Sequence, residues 1–309
     1  MSLTVVGSIA FDAVRTPFGE RERMLGGSAV HFALAARFFG DVHVVGPVGE
    51  DFGEEHFKLL EERGIDTSGI ERVEGGETFF WAGHYEHDLN VAKTDDTRLG
   101  VFADFEPKLS AAAREAETLF LANIQPDLQR GVRSQCEATR IAALDSMNLW
   151  IDTARDSLLA AISEVDCVML NDAEIRMLTG EPNLARAARG LMGLGPSIVL
   201  AKRGEYGAAL LTADRLFAVP GYLLEEVRDP TGAGDCFAGG FLGYLDAAGA
   251  PPSDHAELRR AMAYGTVLAS FNVEEFGTER VARLTREEIE ERYRLLTAMT
   301  RIDDSVTGR

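Results

Sequence analysis

Asp229-Pro230-Thr231-Gly232-Ala233-Gly234-Asp235 runs directly into Cys236-Phe237-Ala238-Gly239-Gly240-Phe241-Leu242-Gly243-Tyr244-Leu245. The second half reads as a helix, with Phe237, Phe241, Tyr244 and Leu245 at three- and four-residue spacing. The first half cannot be helical. Pro230 biases Asp229 toward an extended backbone, and Gly232 and Gly234 permit a tight turn. A small-residue turn that feeds a helix N-terminus presents free N–H groups and the positive end of the helix dipole. Such a place suits an anion, above all a phosphoryl group whose charge shifts during transfer. Asp235 stands at its edge. It is either a helix cap or the group that takes a proton from a hydroxyl attacking phosphorus.

The rest of the composition narrows the partners. A chain of 309 residues makes one large domain or two small ones, and 46% apolar residues supply a substantial core. Fifty acidic against thirty-one basic residues give a net charge of −19, which argues against a nucleic-acid partner. No apolar run approaches the ~18 residues of a membrane span, so no membrane partner is expected. The first residues, Met1–Gly7, carry no basic n-region and read straight into a strand, so no signal peptide is expected. Cys136, Cys167 and Cys236 lack metal-ligand spacing and cannot all pair, so a reduced, cytoplasmic protein is expected. The Walker phosphate loop G-x-x-x-x-G-K-[ST] is absent.

Away from the organising stretch the chain alternates strand and helix. Leu3–Ile9 reads as a buried strand, and Asp12 follows it, where open α/β sheets bind ligands. Gly26-Gly27, a Ser28 cap, a helix and Gly40 come next. Val42–Val48 is a second strand. Residues 77–106 break the alternation. Glu77–Tyr85 and Arg98–Phe105 are aromatic and strand-like, with polar residues between them, as in an antiparallel insertion. Asn123 closes a later strand. Asn171-Asp172-Ala173-Glu174 follows another, and its N-x-x-E pattern is a capping box or a carboxylate placed for Mg²⁺. Lys202 stands at a further strand end, and Arg155 is a candidate phosphate partner.

The run Asp229–Gly240 resembles the C-terminal signature of the ribokinase-like (PfkB) family of carbohydrate and nucleoside kinases, and Gly26–Gly40 resembles its N-terminal signature. The resemblance covers nearly the whole chain. It implies an α/β fold: one three-layer α/β/α ribokinase-like domain over 1–309, with a central mostly parallel sheet and a small β lid from about 11–25 and 77–106. It makes Asp235 the catalytic base and the backbone of Gly232, Ala233 and Gly234 the anion hole. It assigns Asp12, Gly26, Gly27 and Asn123 to the acceptor. Many members have a sugar-contacting asparagine where this chain has His31, so substrate contact and core packing are both open for His31. Asp145-Ser146-Met147-Asn148 resembles a D-x-N phrase near the phosphates. Asn171, Lys202, Gly204 and Thr231 fall on the nucleotide side, and Asn272 on the adenine wall. Glu174 is implied to handle Mg²⁺, and Asp229 a monovalent cation such as K⁺. The implied activity is transfer of the γ-phosphoryl group of ATP to a hydroxyl of a small sugar or polyol. A nucleoside kinase is the close alternative, with Phe79, Phe80, Trp81 and Tyr85 as a base slot, and a non-catalytic binding protein the distant one. A homodimer through the lid is also implied.

Overall fold

Short apolar runs that end in a small or polar residue become the parallel strands of one large sheet. The computed structural model describes residues 2–136 and 138–301. In chain order, β1 (Ser2–Val6), β2 (Ala10–Thr16) and β3 (Gly19–Gly26) precede α1 (Ser28–Ala36), β4 (Asp41–Val48), α2 (Glu54–Glu61) and β5 (Ile65–Arg72). Next come β6 (Phe79–Tyr85), β7 (Ala92–Arg98), α3 (Ala111–Arg114), β8 (Thr118–Leu121), α4 (Pro126–Arg133) and β9 (Ile141–Leu144). Then follow α5 (Asn148–Thr153), α6 (Arg155–Ser163), β10 (Cys167–Asn171), α7 (Asp172–Thr179), α8 (Leu184–Met192), β11 (Ile198–Lys202), β12 (Ala208–Leu211) and β13 (Leu216–Val219). The helices α9 (Ala233–Ala247), α10 (His255–Asn272), α11 (Glu279–Ala282) and α12 (Arg286–Thr300) are the last elements among the described residues.

Among the described residues the large sheet has nine strands in the order β13-β12-β11-β10-β9-β8-β1-β4-β5. Pairing is parallel from β11 through to β5, and antiparallel at β11–β12 and β12–β13. Buried on both faces, the strands between the two edges read as continuous apolar runs rather than alternating ones. Leu3, Val5, Phe120, Ile141, Met169 and Leu200 face one core with α1, α9, α10 and α12. Leu119, Leu121, Leu144, Leu170 and Val199 face the other, with α4, α6, α7 and α8. The result is the expected three layers. It aims the carboxyl ends of β8, β9, β10 and β11 at one edge, beside the N-terminus of α9.

A second, smaller sheet has the order β3-β2-β6-β7. β2 pairs antiparallel with β3 and parallel with β6, and β6 pairs antiparallel with β7. Here several expectations change. β1 ends at Val6, so Asp12 lies inside β2 rather than at the tip of the first strand. The second strand of the insertion is the polar segment Ala92–Arg98, while residues 100–104 form a 3₁₀ turn that starts at Gly100, φ +53°. The cause is position: every residue of β7 is exposed, so no apolar alternation marks it. β5 was hidden for the same reason, with only Ile65 buried. Ser28 does not cap α1. Gly27 holds that position, and the Ser28 hydroxyl pairs with that of Ser8 at 3.1 Å. The three cysteines are free and buried.

Candidate active site

The turn before α9 is built around a buried carboxylate. Asp229 is 0% exposed. Its Oδ1 accepts from the Thr231 N–H and its Oδ2 from the Gly277 N–H, both at 2.9 Å. It straps two backbone segments together, and burial raises its pKa. Gly232 follows as the cap of α9 with φ +76°, a conformation that side chains rarely adopt. The Ala233 amide is not free; it closes a turn onto the Pro230 carbonyl at 3.2 Å. The amides of Gly232 and Gly234 have no backbone partner among these hydrogen bonds. They remain as donors at the positive end of a 15-residue helix. Asp235, on the first turn, is partly exposed beside them.

Strand ends supply the facing charges. Lys202, at the end of β11, pairs with Asp145, just past β9. A Cβ added at Gly234 would lie 3.1 Å from Lys202 Nζ, so the ammonium abuts the turn. Burial pulls the Lys202 pKa down, but Asp145, Glu174 and Asp235 outweigh it and the net shift is upward. Burial, helped by the charge of Asp145 and opposed by Lys202, pushes the Asp235 carboxyl well above its ordinary range. Glu174 is raised to about 7, chiefly by burial against the pull of Lys202. Glu174 also completes the capping box of α7: its carboxylate accepts from the Asn171 amide at 2.8 Å, and Asn171 Oδ1 accepts from the Glu174 amide at 2.7 Å. Acids outnumber the one lysine here, a donor set that suits a cation carried by phosphates. Among the described residues no three His, Cys, Asp or Glu side chains form a metal cage. A Mg²⁺ ion at this place would take most of its ligands from phosphate and water.

On the other side, Asp12 is 5% exposed and stands in register with Trp81 of β6. Its carboxyl is raised to about 7, first by burial and then by the charge of Asp229, against a hydrogen bond from the Gly27 amide. A Cβ at Gly26 would fall 2.0 Å from Asp12 Oδ2, so that glycine makes room for the carboxylate. Tyr85 shares the face of β6 that carries Trp81, and its hydroxyl meets Thr231 Oγ1 at 3.2 Å.

Four of the candidate residues have partners within the protein. His31 is 1% exposed and lies under Gly232, with Nδ1 3.0 Å from Asn272 Oδ1. Asn272 is 0% exposed and donates to the Thr231 carbonyl at 2.7 Å, so it is packed behind the turn and forms no adenine wall. Asn123 accepts from Trp150 Nε1 and donates to Met147 Sδ, both at 3.0 Å. Arg155 donates to the Leu178 carbonyl at 2.7 Å. Gly204, φ +55°, sits against the Asn90 side chain from the β6–β7 turn, and the Glu205 amide donates to Asn90 Oδ1 at 3.2 Å. Sequence reasoning missed Asp145 as the partner of Lys202. The usable signal was its place one residue beyond a parallel strand, the same rule that selected Asn123 and Lys202. The contacts of Tyr85 and Asn90 left no signal, because they cross between elements far apart in the chain. A cavity of about 640 Å³ lined by Glu71, Glu74, Glu77, Asp104 and Lys108 contains none of these groups.

Comparison with known proteins gives the family and the fold. The sequence profile described as pfkB family carbohydrate kinase matches residues 2–283. The cytidine kinase of Thermococcus kodakarensis is 31% identical over 248 residues, covering 78% of this chain and 87% of that protein. The solved nucleoside kinase of Burkholderia thailandensis in complex with inosine superposes with a TM-score of 0.78 at 20% identity, over 96% of this chain and 98% of its own. A putative ribokinase II from E. coli in complex with ATP and Mg²⁺ gives a TM-score of 0.79 at 20% identity, over 95% of this chain and 99% of its own.

Proposed function

This chain belongs to the pfkB family of carbohydrate kinases, and from that premise we propose that it phosphorylates a hydroxyl of a nucleoside, using ATP and Mg²⁺. Transfer of a phosphoryl group to an alcohol is the activity common to its family and its curated relatives. The observation that carries the reading is the convergence of Asp235, the amides of Gly232 and Gly234, and the Lys202 ammonium on one spot. Asp235 takes the proton of the attacking hydroxyl. Its raised pKa suits a base that must hold that proton in the transition state. The two amides, on a helix N-terminus, hold the charge that develops on the transferred group. Lys202, kept charged by Asp145, Glu174 and Asp235, offsets the nucleotide's phosphates. Bound ATP would supply the phosphoryl group, and Glu174 would stand near a phosphate-held Mg²⁺ ion that balances its charge. Because the transition state is loose, placement of the partners carries most of the rate.

The nucleoside enters through the small sheet. Asp12 and Trp81 stand side by side in register on the face that sends Tyr85 to Thr231. A carboxylate for ribose hydroxyls beside a flat indole for a base is the chemistry of a nucleoside site. The strands within 11–25 and 77–106 work as a lid that excludes water, which would otherwise take the phosphoryl group. β7 is a free, fully exposed edge, and a homodimer would form through it. No helix among the described residues is long and apolar enough to cross a membrane.

A coupled ADP-release assay over sugars, polyols and nucleosides tests the assignment. We expect kcat/KM for the best nucleoside to exceed that for free ribose by at least about tenfold, the order of one stacked ring. Turnover confined to free sugars would return the chain to sugar phosphorylation.

A further inference from the structure

The cluster behind the turn has no part in the chemistry described so far, yet it grips the peptide that matters most. The Thr231 carbonyl and the Gly232 N–H belong to one planar trans peptide unit, so fixing the oxygen fixes the opposite direction of the N–H. Asn272 Nδ2 donates to that carbonyl at 2.7 Å. The direction of this bond sets the Asn272 amide, whose Oδ1 must then accept. It takes the His31 Nδ1 contact at 3.0 Å and the Cys236 thiol at 3.3 Å. His31 is therefore the Nδ1–H tautomer, and its Nε2 is buried with no partner. Burial, opposed by the Asn272 bond, lowers its pKa to about 4, so the ring is neutral. The same ring fills the space under Gly232, where a Cβ would lie 2.3 Å from Nδ1. Asp229 holds the Thr231 N–H on the remaining side at 2.9 Å.

We propose that Asn272, set by His31, is a positioning residue that aims the Gly232 N–H at the transferred phosphoryl group. The side chains touch neither acceptor nor nucleotide. His31 thus leaves the acceptor for the anion hole, and Asn272 leaves the adenine wall for the same task. A hydrogen bond at the carbonyl also polarises its own peptide and strengthens the N–H as a donor. The proposal rests on the kinase reading of the same turn.

The test separates aim from fold. Asn272→Leu keeps the branched outline and loses both bonds, and His31→Phe keeps the ring under Gly232 and loses the Nδ1 donor. Removing one oxyanion donor costs about 10²–10³ in kcat. A misaimed donor should cost less, and we expect kcat to fall by about 10–10² in Asn272→Leu and by roughly tenfold or less in His31→Phe. Acceptor KM and ADP affinity should stay within about threefold. Affinity for ADP with aluminium fluoride, a mimic of the transferring phosphoryl group, should fall in parallel with kcat. Because the two residues act in series, the double variant should be no slower than Asn272→Leu alone. Should Asn272→Leu fail to fold, Asn272→Asp keeps the size and loses the donor to Thr231, and the same split is expected of it. Wild-type kcat in these variants, additive losses, or losses of kcat and acceptor affinity in equal measure would overturn the proposal. Failure of the kinase reading itself looks different: the wild-type protein would release no ADP with any acceptor.

Discussion

The turn before α9 and the small sheet face each other, yet they are built on opposite plans. In the turn, the supporting side chains Asp229, His31 and Asn272 are almost fully buried and tied to backbone or to one another. The small sheet is fastened on one side, where Thr16 Oγ1 donates to the Arg228 carbonyl at 2.9 Å and Arg21 lies over the Phe276 ring. On the other side it reaches the main body through the Tyr85–Thr231 contact at 3.2 Å and the Asn90–Glu205 contacts at 3.2 and 3.4 Å. The difference matches two duties. Donors that meet a transition state must be fixed before it forms. A sheet that covers an acceptor must release its product, and the end of this one at Tyr85 and Asn90 is held by few bonds that water can replace.

If the fixed half does the chemistry, its loss is the costliest. Asp235→Asn should lower turnover by about 10²–10⁴, with ADP affinity within a few-fold. Wild-type turnover in this variant would remove the base from the mechanism. The wild-type pH profile gives a second check. Burial and Asp145 hold the Asp235 proton above the ordinary carboxylate range. A base works deprotonated, so kcat/KM should rise with pH through an apparent pKa well above 4, and an acid limb at or below about 4 would contradict the assignment.

Asp12 sharpens the comparison, because it carries the sheet's own buried charge. Its folded pKa of about 7 exceeds its ordinary value of 3.8. The folded state therefore binds that proton more tightly than the unfolded chain. Stability from this group is greatest below about pH 4 and is lost as pH rises toward 7. Asp12→Asn, which can still accept from the Gly27 amide, should raise Tm by roughly 3–8 °C at pH 8 and by little near pH 4. It should also weaken the acceptor by about tenfold or more, as expected when a charged hydrogen-bond partner is removed. A variant that is less stable at pH 8 would show that the carboxylate is compensated by groups other than those named.

How far the sequence revealed all this follows the same division. The turn was legible because its chemistry is local: Pro230, Gly232, Gly234 and Asp235 dictate one another within a few residues. The strand ends at Asn123 and Lys202 were legible because a buried parallel strand must finish in something polar. The supports were not. Nothing near Asn272 in the chain points to Thr231, 41 residues away, or to His31, 241 residues away. A family pattern drew Asn272 toward the adenine and left His31 open between acceptor and core, whereas burial places both beneath the turn. The small sheet was half legible, since the aromatic β6 signals a strand and the charged, exposed β7 signals nothing.

The long contacts at the exposed tip of the small sheet give the smallest effect and the sharpest test of the cover. Asn90 touches Glu205 through long, exposed contacts, each worth at most about 0.5–1 kcal/mol. Its place matters more than its strength, because Glu205 follows Lys202 and Gly204, the strand end proposed to face the phosphates. On the proposed reading, the tip of the acceptor's cover would rest on the nucleotide's side of the site. Asn90→Ala should raise the acceptor KM by about two- to fivefold and leave the chemical step, measured in a single turnover at saturating acceptor, unchanged. Tyr85→Phe, which frees the Thr231 hydroxyl but keeps the ring, should do the same and slightly more. If instead either change slowed the single-turnover step as much as Asn272→Leu does, the sheet would be part of the chemical apparatus, and the contrast between a fixed half and a releasable half would fail.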